Sequence, residues 1–333
     1  MVGMLQYDLD QVKEYRQFIL GSKAEIGKVI VGLDDVVEKV LIAVLCNGHV
    51  LLEGVPGLGK TMLVNTMSQV FRLKFARIQF TPDLMPADIT GTNILMEDKS
   101  GRRYFQFQPG PLFAQLILAD EINRATAKTQ SALLEAMQEG SVTVAGQTRM
   151  LEQPFFVIAT QNPIELEGTY PLPEAQVDRF FFKLKVDYPS LSELNDILRR
   201  TTSDITVKPE SVITGDELKE LQQVIRQIPI ADPVIDYASR VVLATHPTNN
   251  ALNKVKQYVR YGASPRAAQS LVLAGKAAAF LAGRYNVDYQ DIKAVAAPSL
   301  RHRIMLNFEG QAAQLDIDLL IKEIIDNTAE LRK

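Results

Sequence analysis

The chain has 333 residues, 47% hydrophobic and 23% charged, and 36 Lys and Arg against 39 Asp and Glu leave a net charge of −3. This length favours two domains with a large buried core, and near-neutral charge without a basic run argues against a nucleic-acid partner. A single cysteine, Cys46, excludes an internal disulfide and fits core packing in a reducing compartment.

The opening MVGMLQYDLD lacks the basic and apolar regions of a signal peptide, and no apolar stretch approaches a membrane span. A cytoplasmic protein without membrane contact is expected. Residues 5 to 45 carry helical periodicity, with Val36, Val37, Val40, Leu41 and Val44 on recurring apolar positions. A strand near 49 to 53 follows, and its run Val50-Leu51-Leu52 leads straight into GVPGLGKT at 54 to 61. Such a loop meets phosphates with inward-pointing backbone N–H groups where side chains leave room, which Gly54, Gly57 and Gly59 provide. Lys60 is placed to reach β- and γ-phosphate oxygens, and the Thr61 hydroxyl to ligate Mg²⁺, where a helix over Met62 to Phe71 begins. The nucleotide-binding set is therefore Gly54, Pro56, Gly57, Leu58, Gly59, Lys60, Thr61 and Met62, joined by Asp120 further on. A glycine-rich surface loop is the plainer reading, and the strand before and helix after weigh against it.

A strand over 75 to 80 carries Gln79 at its end, by itself an ordinary polar residue in that position. Residues 88 to 110, with Gly91, Gly101, Gly110 and short apolar runs, suggest a small β-α-β-like insert. The apolar strand 116 to 120 then delivers two adjacent carboxylates: Asp120, suited to hold Mg²⁺ mostly through its water ligands, and Glu121, suited to orient and polarise the attacking water as general base. Alone, this pair also reads as solvated charges ending a strand. Residues 140 to 152 alternate and turn at Ala145-Gly146, which predicts a hairpin. The strand 155 to 160 ends in Gln161-Asn162-Pro163; the Asn162 amide can bridge a γ-phosphate oxygen and the lytic water, although Asn-Pro also marks a plain turn. A strand over 180 to 186 completes a mostly parallel five-stranded α/β sheet.

Tyr188-Pro189-Ser190 marks a boundary between an α/β domain, 1 to 188, and a helical domain, 189 to 333. Thr214-Gly215-Asp216-Glu217 forms a capping box before Leu218, Leu221, Ile225 and Ile228; a second helix spans about 233 to 245, Asp288 caps another, and an amphipathic helix runs from Leu315 to Leu331. Ser264-Pro265 predicts an N-cap and first turn for a helix reaching about Gly283, with Arg266 in that first turn. A cation is mildly unfavourable there unless a phosphate compensates it. His49, His246 and His302 lack ligand spacing, and no GxSxG elbow occurs, so neither a metal hydrolase nor a serine hydrolase is supported.

Together GHVLLEGVPGLGKT (48 to 61), RIQFTPDLMPADITG (77 to 91), FQPGPLF (107 to 113), LADEINRATAKTQSALLEAMQEG (118 to 140), ATQNPIELEGTYPLPEAQVDRF (159 to 180) and SPRA (264 to 267) resemble the MoxR family of AAA+ ATPases over almost the whole chain. This is the helix-2-insert group, which includes magnesium-chelatase ATPase subunits and replicative helicase relatives. Thr126-Ala127 departs from the two prolines expected there, which alters a loop and leaves the ATPase chemistry untouched. The resemblance implies an AAA+ P-loop core with an all-helical lid, ATP and Mg²⁺ as ligands, and a homo-oligomeric ring, a hexamer by analogy. It also implies that Asn162 is sensor 1, that Arg179 is an arginine finger reaching the neighbouring subunit's nucleotide, and that Arg266 is sensor 2 reaching its own subunit's nucleotide. Arg179 taken alone reads equally as a surface ion pair with Asp178 or Glu174. Gln79 matches the polar residue that restrains the general base in such proteins.

Three classes of function follow. The resemblance favours a ring-forming, ATP-driven remodeller or maturation factor acting on a client protein, with a partner that carries a von Willebrand factor A domain. A nucleic-acid-stimulated motor is opposed by the charge, and a nucleotide-dependent binding switch by the presence of Lys60, Asp120, Glu121 and Asn162. Whether the inserts at 88 to 110 and 140 to 152 brace loops or touch a client is left open by the sequence.

Overall fold

The computed structural model describes residues 9–163, 170–204 and 207–330. Residues 5 to 8 of the expected first helix, 164 to 169 of the ATQNP motif and the end of the last helix lie outside them. Helices α1 (Leu9–Val29) and α2 (Asp34–Leu45) precede strand β1 (Val50–Glu53), which passes through the glycine loop into α3 (Lys60–Val70). There follow β2 (Phe75–Gln79), a short α4 (Pro86–Thr90), the strands β3 (Gly91–Glu97) and β4 (Arg103–Pro109), then β5 (Leu116–Asp120) and α5 (Ala127–Glu139). A second strand pair, β6 (Ser141–Val144) and β7 (Gln147–Met150), leads to β8 (Phe156–Gln161), α6 (Glu174–Val177) and β9 (Phe182–Lys185).

The main sheet has the order β2-β5-β8-β1-β9, and every pairing in it is parallel. Its central strands are apolar runs because both faces are covered. Side chains alternate between the faces. Val50, Leu52, Leu116, Leu118, Phe156 and Ile158 enter one hydrophobic cluster, while Leu51, Ile117, Ala119, Val157 and Ala159 enter another. The first cluster includes α1 to α3; the second is built with Leu133, Leu134 and Met137 of α5.

The second half of the chain comprises α7 (Leu191–Thr201), α8 (Gly215–Gln227), α9 (Asp232–Leu243), α10 (Asn253–Tyr258), β10 (Val259–Tyr261), α11 (Pro265–Leu281), α12 (Tyr289–Leu300), β11 (Met305–Leu306), α13 (Phe308–Ala312) and α14 (Ile317–Asn327). The capping box at Thr214 and Glu217 is present, and Asp288 stands at the N-cap position of α12, its N–H donating to Asp291 Oδ2 at 2.8 Å. Leu218 and Leu221 of α8 with Ala274 and Ala277 of α11 extend the first cluster, so this half packs directly onto α2 and the covered sheet face. Among the described residues no helix is long and apolar enough to cross a membrane.

Two expectations need correction. The insert over 88 to 110 is a short helix followed by an antiparallel hairpin, Leu95 opposite Phe105, rather than a β-α-β excursion. Asp98 closes the turn, its Oδ1 accepting from the backbone N–H groups of Ser100 and Arg102 at 2.8 and 3.0 Å, which is local chemistry that brings adjacent strands together. The helical half also contains a small ribbon, β10 against β11. The hairpin expected over 140 to 152 is present as β6 and β7.

Candidate functional site

Parallel strands deliver their C-terminal ends to one edge of the sheet, where ligands of such folds collect. Gly54 follows β1 so closely to the end of β9 that a Cβ there would lie 2.7 Å from the Val186 carbonyl oxygen. Gly59, at φ 76°, turns the chain into α3 through a left-handed conformation that glycine adopts without strain. The loop so formed opens on a cavity of about 380 Å³ lined by Pro56, Gly57, Gly59, Lys60, Thr61, Met62, Arg77, Gln79, Asp120, Glu121, Thr160 and Asn162.

Lys60 is largely buried and donates to the Gly54 carbonyl oxygen. Burial pushes its pKa down, while Asp120 and Glu121 oppose the shift. Asp120 is fixed through both oxygens: Oδ1 accepts from the Thr160 hydroxyl at 2.6 Å, and Oδ2 from Arg77 Nη2 at 2.6 Å. Glu121 has a left-handed backbone, φ 55° and ψ 50°, at the strand tip. For a non-glycine residue this costs of the order of 1 kcal/mol or more. It is sustained by the Glu121 N–H donating to the Thr160 hydroxyl oxygen at 2.9 Å. Its Oε2 accepts from Gln79 Nε2 at 2.8 Å and from Arg124 Nη1 at 2.9 Å. Gln79 therefore touches the carboxylate, which its position at a strand end alone did not require.

A second cavity of about 420 Å³ adjoins the first and shares Pro56, Gly57, Gly59 and Met62 with it. Its other walls are largely apolar, from Val29, Ile30, Val31 and Leu33 after α1, Leu58 in the loop, and Tyr188, Leu194 and Ile197 around α7. Such walls beside a phosphate loop suit a flat base. For a cation, the Thr61 hydroxyl and the Asp120 carboxylate offer only hard oxygen donors. No group of three or more His, Cys, Asp and Glu among the described residues could hold a metal. The pair fits a Mg²⁺ that shares phosphate oxygens rather than a protein-only cage.

The two arginines are elsewhere. β9 runs parallel to β1 with Phe182 beside Val50 and Lys185 beside Glu53, so the phosphate loop leaves at one end of this pair and Arg179 lies before the other. The Phe181 N–H donating to the His49 carbonyl oxygen at 2.8 Å fixes that end. The paired residues alone separate the ends by roughly 10 Å. Arg179 forms no side-chain hydrogen bond or ion pair with a described residue, and its neighbour Asp178 is occupied by Ser264, Arg266 and Arg303. Arg266 Nη1 donates to Asp178 Oδ2 at 3.1 Å, and the residue lines neither cavity. Ser264 stands at the N-cap position of α11 and makes no capping bond; its hydroxyl donates to Asp178 Oδ1 at 2.8 Å.

The histidines are structural. His49 Nε2 lies 3.0 Å from the Met137 carbonyl oxygen and Nδ1 accepts from the Val157 N–H at 3.0 Å, which defines a neutral ring with the proton on Nε2. Burial holds its pKa down at about 4. Several supporting residues gave no sequence signal: Thr160 and Arg77, which reach Asp120 across strands, and Gln130, whose amide nitrogen lies 2.9 to 3.1 Å from the carbonyl oxygens of Ile122, Ala125 and Tyr170. Gln130 sits one helical turn into α5, where only tertiary folding brings the acid-bearing turn over it.

Residues 49–182 match the family of ATPases associated with various cellular activities (AAA), and residues 252–324 match the AAA lid domain. The chain is 45% identical to Chaperone MoxR1 of Mycobacterium tuberculosis over 92% of its own length and 80% of that protein's. It is 32% identical to Protein MoxR of Paracoccus denitrificans over 86% of its own length and 88% of the relative's. A crystal structure of a protein from Cytophaga hutchinsonii assigned as an ATPase superposes with a TM-score of 0.90 at 41% identity, covering 97% of this chain and 98% of that one. With a phosphate loop, two carboxylates and a polar amide converging at one sheet edge, and relatives of this identity spanning nearly the full length, the chain belongs to the MoxR family of AAA+ ATPases.

Proposed function

We propose that the chain is a subunit of a self-assembling, ATP-driven remodelling machine in which each hydrolytic site is completed by a neighbouring protomer. One observation carries this reading: Lys60, Thr61, Asp120, Glu121 and Asn162 share a cavity, whereas Arg179 lies beyond the opposite end of β9. Mg²⁺ bound with ATP neutralises phosphate charge and orients the terminal phosphoryl group. The loop N–H groups and Lys60 bind the phosphates, and Thr61 and Asp120 hold the metal. Glu121 takes a proton from the attacking water once Gln79 lets go of it. Asn162 donates to a terminal phosphate oxygen and positions the water. Arg179 of the adjacent protomer spreads the charge that builds on the transferred group. Arg266, in the role of sensor 2 that the resemblance implies, leaves Asp178 to reach the nucleotide of its own subunit.

The assembly is a closed ring, six-membered by family resemblance, and the helical half from about residue 189 moves against the sheet as a lid. Its client is a protein or protein complex, reached with a partner carrying a von Willebrand factor A domain, as the MoxR resemblance implies; the chaperone name of the Mycobacterium tuberculosis relative supports this class. The single, buried Cys46 thiol supports a cytoplasmic setting. A net charge of −3 and the lack of a basic run weigh against a nucleic-acid track. The test is ATP turnover per protomer across a wide range of protein concentration with Mg²⁺ in excess. Specific activity that rises with concentration for the wild type and stays low for Arg179→Ala supports a shared site. Equal and concentration-independent turnover in both removes Arg179 from the chemistry.

A further inference from the structure

Arg77 stands two residues before Gln79 on β2, so both side chains lie on the same face of that strand. Its guanidinium reaches Asp120 Oδ2 through Nη2 at 2.6 Å and Nε at 3.2 Å. The same Nη2 donates to Gln79 Oε1 at 2.8 Å. With its oxygen held there, the Gln79 amide turns its nitrogen to Glu121 Oε2 at 2.8 Å. One nitrogen of Arg77 thus joins the metal-binding carboxylate to the group that restrains the general base. The other Asp120 oxygen accepts from the neutral Thr160 hydroxyl, so Oδ2 is the oxygen at which a cation, or a water that it carries, meets a competing charge.

We propose that Arg77 is a positioning residue that interlocks metal binding at Asp120 with release of Glu121. It rests on the reading above, in which Asp120 holds Mg²⁺ and Glu121 is the general base. A guanidinium and a divalent cation compete for the same lone pairs of Oδ2 and repel each other. When the cation takes that oxygen, Arg77 turns away and Gln79 Oε1 loses the donor that set its direction. The amide then rotates, and Glu121 exchanges an amide hydrogen bond for water while Arg124 keeps its hold on Oε2. Before the metal arrives, the arrangement holds the base in an unproductive contact. The competing explanation is a strand brace between β2 and β5. Arg77 is half-exposed, so as a brace it would contribute little.

The test titrates Mg²⁺ against binding of a fluorescent ADP, which needs no turnover, and measures ATP turnover at saturating Mg²⁺ beside it. Arg77→Ala is expected to lower the half-saturating Mg²⁺ by about two- to fivefold, the scale of one partly exposed ion pair, and to raise basal turnover. Gln79→Ala should raise turnover and leave the Mg²⁺ midpoint in place. Arg77→Lys keeps a charge on Asp120 but not the forked contact, so it should retain the midpoint and still raise turnover. An unchanged midpoint in a folded Arg77→Ala protein, or unchanged turnover in Arg77→Lys should the alanine variant not fold, overturns the interlock. Nucleotide binding by the wild type that is indifferent to Mg²⁺ overturns instead the underlying assignment of Asp120, and the interlock with it.

Discussion

Asp178 accepts from Arg303 Nε at 2.9 Å, and Arg303 is 4% exposed. The same guanidinium donates to the carbonyl oxygens of Asp178, Phe180 and Ser299, so the turn after α12 is fastened to the segment that carries Arg179. Burial alone would raise the Asp178 pKa, but hydrogen bonds from Ser264 and Arg266 and the charge of Arg303 outweigh it and hold the carboxyl below its ordinary value.

Removing that carboxylate should be costly. Asp178→Asn leaves the Arg303 charge buried without its counter-ion and is expected to destabilise the fold by about 3 to 5 kcal/mol. Arg266→Ala removes a half-exposed partner of the same carboxylate and should alter stability by less than about 1 kcal/mol. Denaturant unfolding of both variants checks the difference; equal losses would mean that Arg303 does not depend on Asp178.

Binding and turnover should separate at the nucleotide site. Lys60→Ala deletes a charged donor to the phosphates and is expected to weaken ATP affinity about 10- to 100-fold. Glu121→Gln keeps the size of the side chain, should bind ATP as well as the wild type, and should lower turnover by about 10²- to 10⁴-fold. Calorimetric binding together with phosphate release distinguishes the two. A Glu121→Gln protein with normal turnover would assign the base elsewhere.

Two inactive variants should rescue each other. Arg179→Ala retains its loop, and Lys60→Ala retains its arginine. Arg179→Ala alone is expected to lose about 10³- to 10⁵-fold in turnover if the finger acts as such groups do elsewhere. Mixing it with Lys60→Ala should restore part of the wild-type rate, because one kind of interface then joins an intact loop to an intact arginine. No recovery in mixtures that assemble would refute a shared site.

Acid should act on His49. Its folded pKa, about 4, lies below the ordinary 6.5, so the stability conferred by the neutral ring is complete above pH 6.5 and is lost as pH falls towards 4. The loss across that window is roughly 3 kcal/mol. His49→Gln should be less stable at neutral pH yet show a flatter decline between pH 6.5 and 4. Parallel unfolding curves for both proteins at each pH would place the titration elsewhere.

The sheet and the phosphate cradle were legible because their signals are local: Val50-Leu51-Leu52 before a glycine loop, and apolar strands ending in Asp120 and Asn162. The contacts that tune the site were not. Arg77, Thr160 and Asp120 meet only through the register of β2, β5 and β8, and register is set by burial across the whole sheet. The hairpin β3–β4 escaped because Ile94, Leu95 and Met96 form a short apolar run without clean alternation of polar residues, which helix and strand share. The contact of Arg266 with Asp178 was hidden for a related reason: its first-turn position follows from Ser264-Pro265, but its partner lies 88 residues away in the chain and only tertiary folding brings the two together.

The two ends of β9 also give the molecule a polarity. A subunit that offers a cradle on one side and an arginine on the other satisfies its neighbour head to tail, whereas a two-fold pair would have to bring both ends of each copy to one interface. Such stacking either closes on itself or stops with an unequal pair of ends: at one, a cradle that no arginine enters, and at the other, an arginine with no phosphate to meet. If Arg179 completes a neighbour's site as proposed, an open arc would hold one working site fewer than it has members, and closure would be the step that gains that last site.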